Sequence, residues 1–254
     1  MAGTSGGSRR GHDLWPTTVS AVVDPNPRIR RITLTADQFV HFAPSGPDEC
    51  FGLMVPTGDR LHLRWYTVAT HRPERGEIDV CFVLHDHAGP GVAWARGARL
   101  GDRVGYRASG SAYRDPGPNS RQLLLGDETS LPALAAIMES LPDSRAVHAI
   151  VELPDPSYAD LGADQDPELG IEWAYRGADA AGRQLLTAAR AVGPAPGGRL
   201  DYVWVCGESG GVKAVRRHLV QAGMDRRRIT FSGYWRGPQP RPFSAKPARA
   251  PAPG

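Results

Sequence analysis

Hydrophobic and polar residues follow two different patterns in two parts of this chain. Between residues 18 and 106, short segments with apolar residues at alternate positions are separated by turns rich in Gly, Pro and Asp. Such segments predict β-strands, and their close spacing is typical of a small antiparallel barrel. Six strands are predicted, at residues 19–23, 29–35, 51–55, 61–68, 78–84 and 103–106, with one helix at 91–99.

After residue 118 the pattern changes to apolar strands that alternate with helical segments. Strands are predicted at residues 122–125, 147–153, 171–174, 202–206 and 228–231, and helices at 131–141, 178–191 and 211–222. This rhythm predicts a parallel sheet covered by helices on both faces. The expected class is therefore β plus α/β, with a six-stranded antiparallel barrel first. The expected boundaries are a flexible leader at 1–16, the barrel at 17–117, the α/β half at 118–236 and a flexible Pro- and Arg-rich tail at 237–254.

Composition narrows the function classes. With 41% hydrophobic and 22% charged residues, the 254-residue chain has globular values. The net charge of +3 is small and the basic residues are scattered, which argues against nucleic-acid binding. No apolar run is long enough for a membrane span or a secretory signal, so a cytoplasmic location is expected. Cys50, Cys81 and Cys206 show no paired spacing and are interpreted as core residues.

The predicted strand at 61–68 carries the first candidate chemistry. Because side chains alternate along a strand, Arg64 and Tyr66 share one face, and Trp65 and Thr67 share the other. A guanidinium can hold a phosphate and an aromatic ring can stack on a flat heterocycle, as a flavin nucleotide requires. The segment taken alone is also consistent with plain barrel wall.

A turn leading into the predicted helix at 91–99 is the second candidate. Free N–H groups at a helix start favour an anion, so the turn predicts a pyrophosphate site, with a purely structural turn as the alternative. A metal at His85 and His87 is disfavoured because the spacing supplies no third ligand. The residues concerned are Val83, Leu84, His85, Gly89, Pro90, Gly91 and Val92.

Three further stretches follow predicted strands of the α/β half. Asp127, Glu128 and Thr129 lie at a strand end where ligands of open α/β sheets bind, although acids also favour a helix start. Tyr234, Trp235 and Arg236 either seal the sheet edge or cover a cofactor.

The stretch from Gly207 to Gly211 fits the G-x-S-x-G pattern of serine hydrolases. The only later histidine, His218, lies on the helix that begins beside Ser209, so a hydrolase is disfavoured.

In this order, the stretches resemble the siderophore-interacting protein family, which are FAD-containing ferric-siderophore reductases on the ferredoxin-reductase architecture. The resemblance runs from about Arg28 to Arg236. Its carriers are Arg64-Trp65-Tyr66-Thr67, residues 77–85, Gly89-Pro90 with Trp94, residues 125–133, residues 204–208 and Gly233-Tyr234-Trp235-Arg236.

The resemblance implies an FAD-binding barrel followed by a domain like those that bind NAD(P), with FAD between them. In the family, electrons arrive from NAD(P)H or reduced ferredoxin and pass to iron(III). Arg64 would hold a phosphate, Tyr66 would pack on the isoalloxazine and Thr67 would lie near the flavin's reactive edge, with no other catalytic side chain. The expected cofactor contacts are Arg64, Trp65, Tyr66, Thr67, Val83, Leu84, His85, Gly89, Pro90, Gly91, Val92, Asp127, Thr129, Tyr234 and Trp235. The expected contacts to a small-molecule ferric substrate are Arg60, Arg236 and Arg241.

Departures from the family pattern affect the expected ferric substrate more than the expected flavin. Family members carry Gly-Pro-Ala-Ser where this chain has Gly89-Pro90-Gly91-Val92, and a basic residue is replaced by Ala69. A family lysine aligns with Gly52, and this chain has only Lys213 and Lys246. Alternatives are therefore a diverged enzyme that uses FAD in a biosynthetic reduction or cyclisation, and a carrier without turnover. The sequence leaves the electron donor and the oligomeric state open.

Overall fold

The first half of the chain forms a seven-stranded antiparallel sheet that curls into a barrel. The computed structural model describes residues 14–85, 89–142, 146–159, 170–192 and 200–237. The strands are β1 (Leu14–Asn26), β2 (Ile29–Thr35), β3 (Cys50–Thr57), β4 (Arg60–Thr67), β5 (Thr70–Arg72), β6 (Glu77–Val83) and β7 (Arg103–Gly110), in the order β4-β3-β7-β1-β2-β6-β5. Helix α1 (Pro90–Gly97) packs against β2, β3, β4 and β6.

Alternation along the strands fills the barrel interior. On β3, Phe51, Leu53 and Val55 are fully buried, and they pack with Tyr106 of β7 in one core. The intervening positions point outward, as expected for a sheet with one face in the core. The barrel interior is therefore filled by side chains.

The second half is a five-stranded parallel sheet between helices. Its strands are β8 (Arg121–Asp127), β9 (Ala146–Leu153), β10 (Ile171–Tyr175), β11 (Tyr202–Glu208) and β12 (Ile229–Trp235), in the order β10-β9-β8-β11-β12. The helices are α2 (Leu131–Ser140), α3 (Arg183–Ala191) and α4 (Ser209–Gln221), and short 3-10 helices lie at Asp37–Val40, Pro73–Arg75, Pro156–Tyr158 and Arg226–Arg228. The strand order reverses between β8 and β11, where open α/β sheets form a ligand crevice.

The predicted class is confirmed, with differences in detail. Strand β5 raises the barrel count from six to seven. Strand β1 begins at Leu14, inside the segment predicted as a leader, because residues 14–18 pair with β7. Helix α3 begins at Arg183 rather than 178, since Gly182 at φ +83° precedes it in a left-handed conformation. The part of the predicted tail beyond residue 237 lies outside the described residues.

Within the described ranges, none of the helices combines the length and apolar character needed to cross a bilayer.

Candidate functional site

The strand carrying Arg64 and the helix carrying Gly91 meet at one point. A β-carbon built at Gly91 would collide with the Tyr66 hydroxyl and would lie 3.4 Å from Cγ of Arg64. Arg64 and Tyr66 therefore share the face of β4 that lies against α1. Trp65 points the other way and is 52% exposed, beside Leu63 and Gly52.

The start of α1 has the properties of an anion site. Its N-cap, Gly89, offers no side chain to the first turn, and none of the described residues of that turn is acidic. Pro90 begins the helix with its fixed φ, and Gly91 and Val92 follow it. The Arg64 guanidinium has one hydrogen bond among the described residues, from Nη1 to the Leu63 carbonyl at 2.8 Å. A guanidinium and free helix N–H groups are thus available side by side.

Tyr66 supplies an aromatic surface next to this anion site. Its ring centroid lies 4.5 Å from that of Phe82 and 6.5 Å from that of Phe51. Burial raises the pKa of the Tyr66 phenol, so it stays neutral at physiological pH. The ring is held as a rigid neutral surface.

The residues that follow β6 lead toward α1. Val83 packs on the α/β half, and the Leu84 amide donates to the Arg28 carbonyl at 2.7 Å. Arg96 of α1 donates to the carbonyl of the exposed His85 at 3.1 Å. His87 lies outside the described residues, as does Arg241.

Thr67 and Tyr234 join the two halves of the molecule. Thr67 is only 7% exposed and its side chain lies close to the Tyr234 phenol, which also lies close to Cys206. Burial raises the pKa of the Tyr234 phenol well above its ordinary value. The barrel strand with Tyr66 therefore lies against the carboxyl end of the parallel sheet.

Asp127 is the centre of a hydrogen-bond network at that sheet edge. Oδ1 accepts from the amide and hydroxyl of Thr129 at 2.9 and 2.6 Å. Oδ2 accepts from the Glu208 amide and from Nε1 of Trp235, each at 2.7 Å. Burial, followed by the negative charge of Glu128, raises the pKa of Asp127 to about 7. The structure thus brings Asp127, Thr129 and Trp235 together, with Thr129 and Trp235 each hydrogen-bonded to Asp127.

Glu128 points to a different partner. Its carboxylate accepts hydrogen bonds from both terminal nitrogens of Arg176, at 2.6 and 2.7 Å. Both side chains are nearly buried. Glu152 lies 3.6 Å from the same guanidinium and is fully buried. Asp127 and Glu128 therefore have different partners. The alternative that these acids favour the start of a helix does not account for the hydrogen bonds that Asp127 accepts from Glu208 and Trp235. Of the arginines expected to contact substrate, Arg60 and Arg236 are exposed.

One group near the site was not predicted. Asp48 accepts from the Ser111 hydroxyl, from the amides of Ala112 and Tyr113, and from Nε1 of Trp204 at 2.9 Å. This buried carboxylate fastens the connection between the halves to β11. Asp48 and Trp204 are 156 positions apart, and neither lies in a pattern that links them.

A cavity lies away from these residues. Its volume is about 530 Å³, and it is lined by residues 114–120 and by Asp201, Tyr202, Arg227 and Arg228. Tyr202 is the first residue of β11, so this cavity faces the amino end of the parallel sheet. Ligands of such sheets bind at the opposite end, and the cavity is not assigned to the site.

Comparison with known protein families shows which family the chain belongs to. Residues 52–112 match the model of the siderophore-interacting FAD-binding domain, and residues 119–237 match that of siderophore-interacting protein. An uncharacterized protein of Mycobacterium tuberculosis is 31% identical over 194 residues, covering 72% of this chain and 68% of that protein. The chain belongs to the siderophore-interacting protein family. FAD is accordingly the cofactor of its barrel half.

Named relatives of this siderophore-interacting protein include reductases. The ferric vibriobactin reductase ViuB of Vibrio cholerae is 26% identical over 227 residues, covering 81% of this chain and 83% of ViuB. A siderophore utilization protein from T. fusca has a TM-score of 0.75 at 28% identity, covering 88% and 93% of the two chains. Phthalate dioxygenase reductase, at 14% identity, a TM-score of 0.64 and coverage of 87% and 68%, shares the fold. The predicted ferredoxin-reductase architecture is therefore confirmed.

Proposed function

We propose that this protein is an FAD-dependent oxidoreductase that reduces ferric siderophores and so releases iron(II). The observation that carries the proposal is the meeting of Arg64, Tyr66 and the start of α1 at Gly91. Together they offer a cation, free helix N–H groups and an aromatic ring, as a flavin nucleotide requires. The relationship to a ferric vibriobactin reductase supports the reaction.

The residues present fit FAD. Arg64 would hold a phosphate, and the backbone of Gly89, Gly91 and Val92 would hold the pyrophosphate. Lack of a side chain at Gly91 leaves the Tyr66 hydroxyl in place, where any larger residue would displace it. When bound, FAD supplies single electrons to iron(III). Hard oxygen donors that suit the ferric ion bind the ferrous ion less well, so reduction releases the metal.

The chain's own residues position the cofactor and substrate. Thr67, next to Tyr66 on β4, would form the hydrogen bond near the flavin's reactive edge. Arg60 and Arg236 are assigned to the ferric complex because both are exposed cations. No acid or base needs to act on the siderophore, because electron transfer alone releases the metal.

The test begins with purified protein loaded with FAD. The holoprotein is reduced anaerobically with dithionite, freed of excess reductant and mixed with a ferric hydroxamate or ferric catecholate in the presence of an iron(II) chelator. The expected result is flavin reoxidation that matches formation of the coloured iron(II) complex. A reduced holoprotein that forms no iron(II) with either class would overturn the proposed reaction, and failure to take up FAD would overturn the cofactor assignment.

A further inference from the structure

The face of β4 opposite Arg64 and Tyr66 carries large apolar side chains at the surface. Alternation along the strand puts Leu61, Leu63 and Trp65 on this face. Leu61 is 62% exposed and Trp65 is 52% exposed, although both are large hydrophobic side chains. Neighbouring apolar groups that stay together on a surface mark binding sites, whereas isolated ones are ordinary. The apolar strip formed by Leu61, Leu63 and Trp65 is therefore a candidate for contact with a ligand.

Strand β3 supplies the base on which this strip rests. Gly52 of β3 is the Cα partner of Trp65 on β4. A β-carbon at Gly52 would lie 2.5 Å from Cδ1 of Leu63 and 3.4 Å from Cζ3 of Trp65. The two side chains thus lean onto β3 where a side chain of residue 52 would stand. The Trp65 ring packs against the sheet in this way, and about half of its side chain stays open to solvent.

This face of the two strands offers a ligand apolar surface and no charge of its own. The outward positions of β3, from Cys50 to Pro56, and those of β4, from Leu61 to Thr67, all hold uncharged residues. The lysine of family members is absent at Gly52, and a lysine there would have to displace Leu63. Arg107 of β7 is the Cα partner of Gly52 on its other side, so a cation borders the strip without forming part of it.

The strip leads toward the proposed flavin site. Thr67, which would hydrogen-bond near the flavin's reactive edge, lies on the same face two positions after Trp65. Two positions span roughly 7 Å along a strand. A ferric complex with one ligand group on Trp65 would therefore hold its metal beside that edge.

From these observations we propose that Trp65 is a specificity-determining residue, and that the apolar strip binds an uncharged aryl group carried by the iron-binding ligand. A ring of the ligand stacks on the open side of the Trp65 ring, next to Leu61 and Leu63. The proposal rests on the proposed function and deepens it by naming the substrate class, a siderophore that bears an aromatic ring. The family's Arg-x-Tyr-Thr pattern leaves the residue at position 65 free, and Gly52 departs from the family, so the preference belongs to this chain.

The experiment measures binding of two gallium(III) complexes to the FAD-loaded protein in its oxidised form. Tris(benzohydroxamato)gallium and tris(acetohydroxamato)gallium are both uncharged and give the metal the same oxygen donors, but one carries phenyl groups and the other methyl groups. Calorimetry should show that the parent binds the phenyl complex about tenfold more tightly, a preference of roughly 1.4 kcal/mol. Trp65→Ala should reduce the preference to about twofold or less, and Trp65→Phe should retain most of it.

The matched control is Phe231→Ala, which removes an aromatic side chain of similar exposure, 47%, from β12 of the other sheet. This control should keep the preference of the parent. A parent that binds both complexes equally overturns the proposal, and so does a Trp65→Ala variant that keeps the preference. Equal losses in Trp65→Ala and Phe231→Ala overturn it as well, because the effect would then not belong to the strip.

Two other occupants of the strip are tested with the same variant. If the adenine ring of FAD covers Trp65, Trp65→Ala apoprotein will bind FAD about tenfold more weakly than the parent, which overturns the proposal. If a second copy of the chain covers the strip, sedimentation will show a dimer that Trp65→Ala dissociates, with the same consequence. We expect FAD affinity and oligomeric state to stay unchanged. Gallium binding requires no electron transfer, so a failure to form iron(II) in the dithionite experiment overturns the proposed reaction separately.

Discussion

The two halves of this molecule differ in how the starts of their helices are capped. In each half helices begin after the ends of strands, and the free N–H groups at a helix start attract anions. In the barrel half, α1 begins at Gly89 and Pro90 with no acid in its first turn and with Arg64 beside it. In the α/β half, Glu152 and Glu208 cap α3 and α4. The starts of α3 and α4 are therefore occupied by carboxylates of the chain itself, whereas the start of α1 is not.

Removal of a charge should lower stability most in the α/β half, where carboxylates of the chain accept the amides at the helix starts. Glu152→Gln places an amide group among donors in a fully buried position and removes one neighbour of Arg176. We expect the free energy of unfolding to fall by about 3–5 kcal/mol, as when one partner of a buried network is removed. Denaturant unfolding monitored by tryptophan fluorescence measures it. The exposed Glu172→Gln should stay within about 0.5 kcal/mol, and equal losses in both variants would contradict the contrast.

Charge removal in the barrel half should cost the cofactor instead. Arg64 bonds only the neighbouring Leu63 carbonyl among the described residues, so Arg64→Ala should leave the FAD-free protein nearly as stable as its parent. A phosphate would lose a charge-assisted hydrogen bond worth about 1.5–3 kcal/mol, or roughly 10- to 100-fold in Kd for FAD. Equilibrium titration of apoprotein with FAD measures it, with the exposed Arg190→Ala as control. Unchanged FAD affinity in Arg64→Ala would show that Arg64 does not hold a phosphate of FAD at the start of α1.

Two glycines on α1 sharpen the comparison within a single helix. A β-carbon at Gly91 collides with the Tyr66 hydroxyl, whereas a β-carbon at Gly97 meets nothing within 4 Å. Gly91→Ala should therefore destabilise the FAD-free protein by about 1–3 kcal/mol through overpacking. Gly97→Ala should be neutral or slightly stabilising. Thermal unfolding of both variants decides the point, and a neutral Gly91→Ala would mean that the Tyr66 ring moves aside at no cost.

Periodic features of the fold were predictable from sequence, and long-range charge pairs were not. Alternation along β4 was enough to place Arg64 and Tyr66 on one face. Strand β5 was missed because it is only three residues long and is held by charge, through Arg72 and Asp79 at 2.6 Å, rather than by an apolar pattern.

The same limit applies around the site. Glu128 and Arg176 are 48 positions apart, and each by itself is consistent with a surface charge or a ligand contact. Only the folding of β8 beside β9 and β10 determines that they meet. The resemblance to a family supplied the cofactor, but the internal capping of α3 and α4 becomes apparent only in three dimensions.

The remaining expected effect is the pH dependence contributed by Asp127. Its pKa is raised from an ordinary 3.8 to about 7, first by burial and then by the charge of Glu128. The folded protein thus binds a proton that the unfolded chain releases, so this contribution to stability is complete below pH 3.8 and is lost as the pH rises through 7. Asp127→Asn lacks the titration. Between pH 4 and 7 the difference in Tm between parent and variant should therefore shift by a few degrees in the variant's favour. A difference that stays constant over this range would mean that the donors of Thr129, Glu208 and Trp235 keep Asp127 ionised.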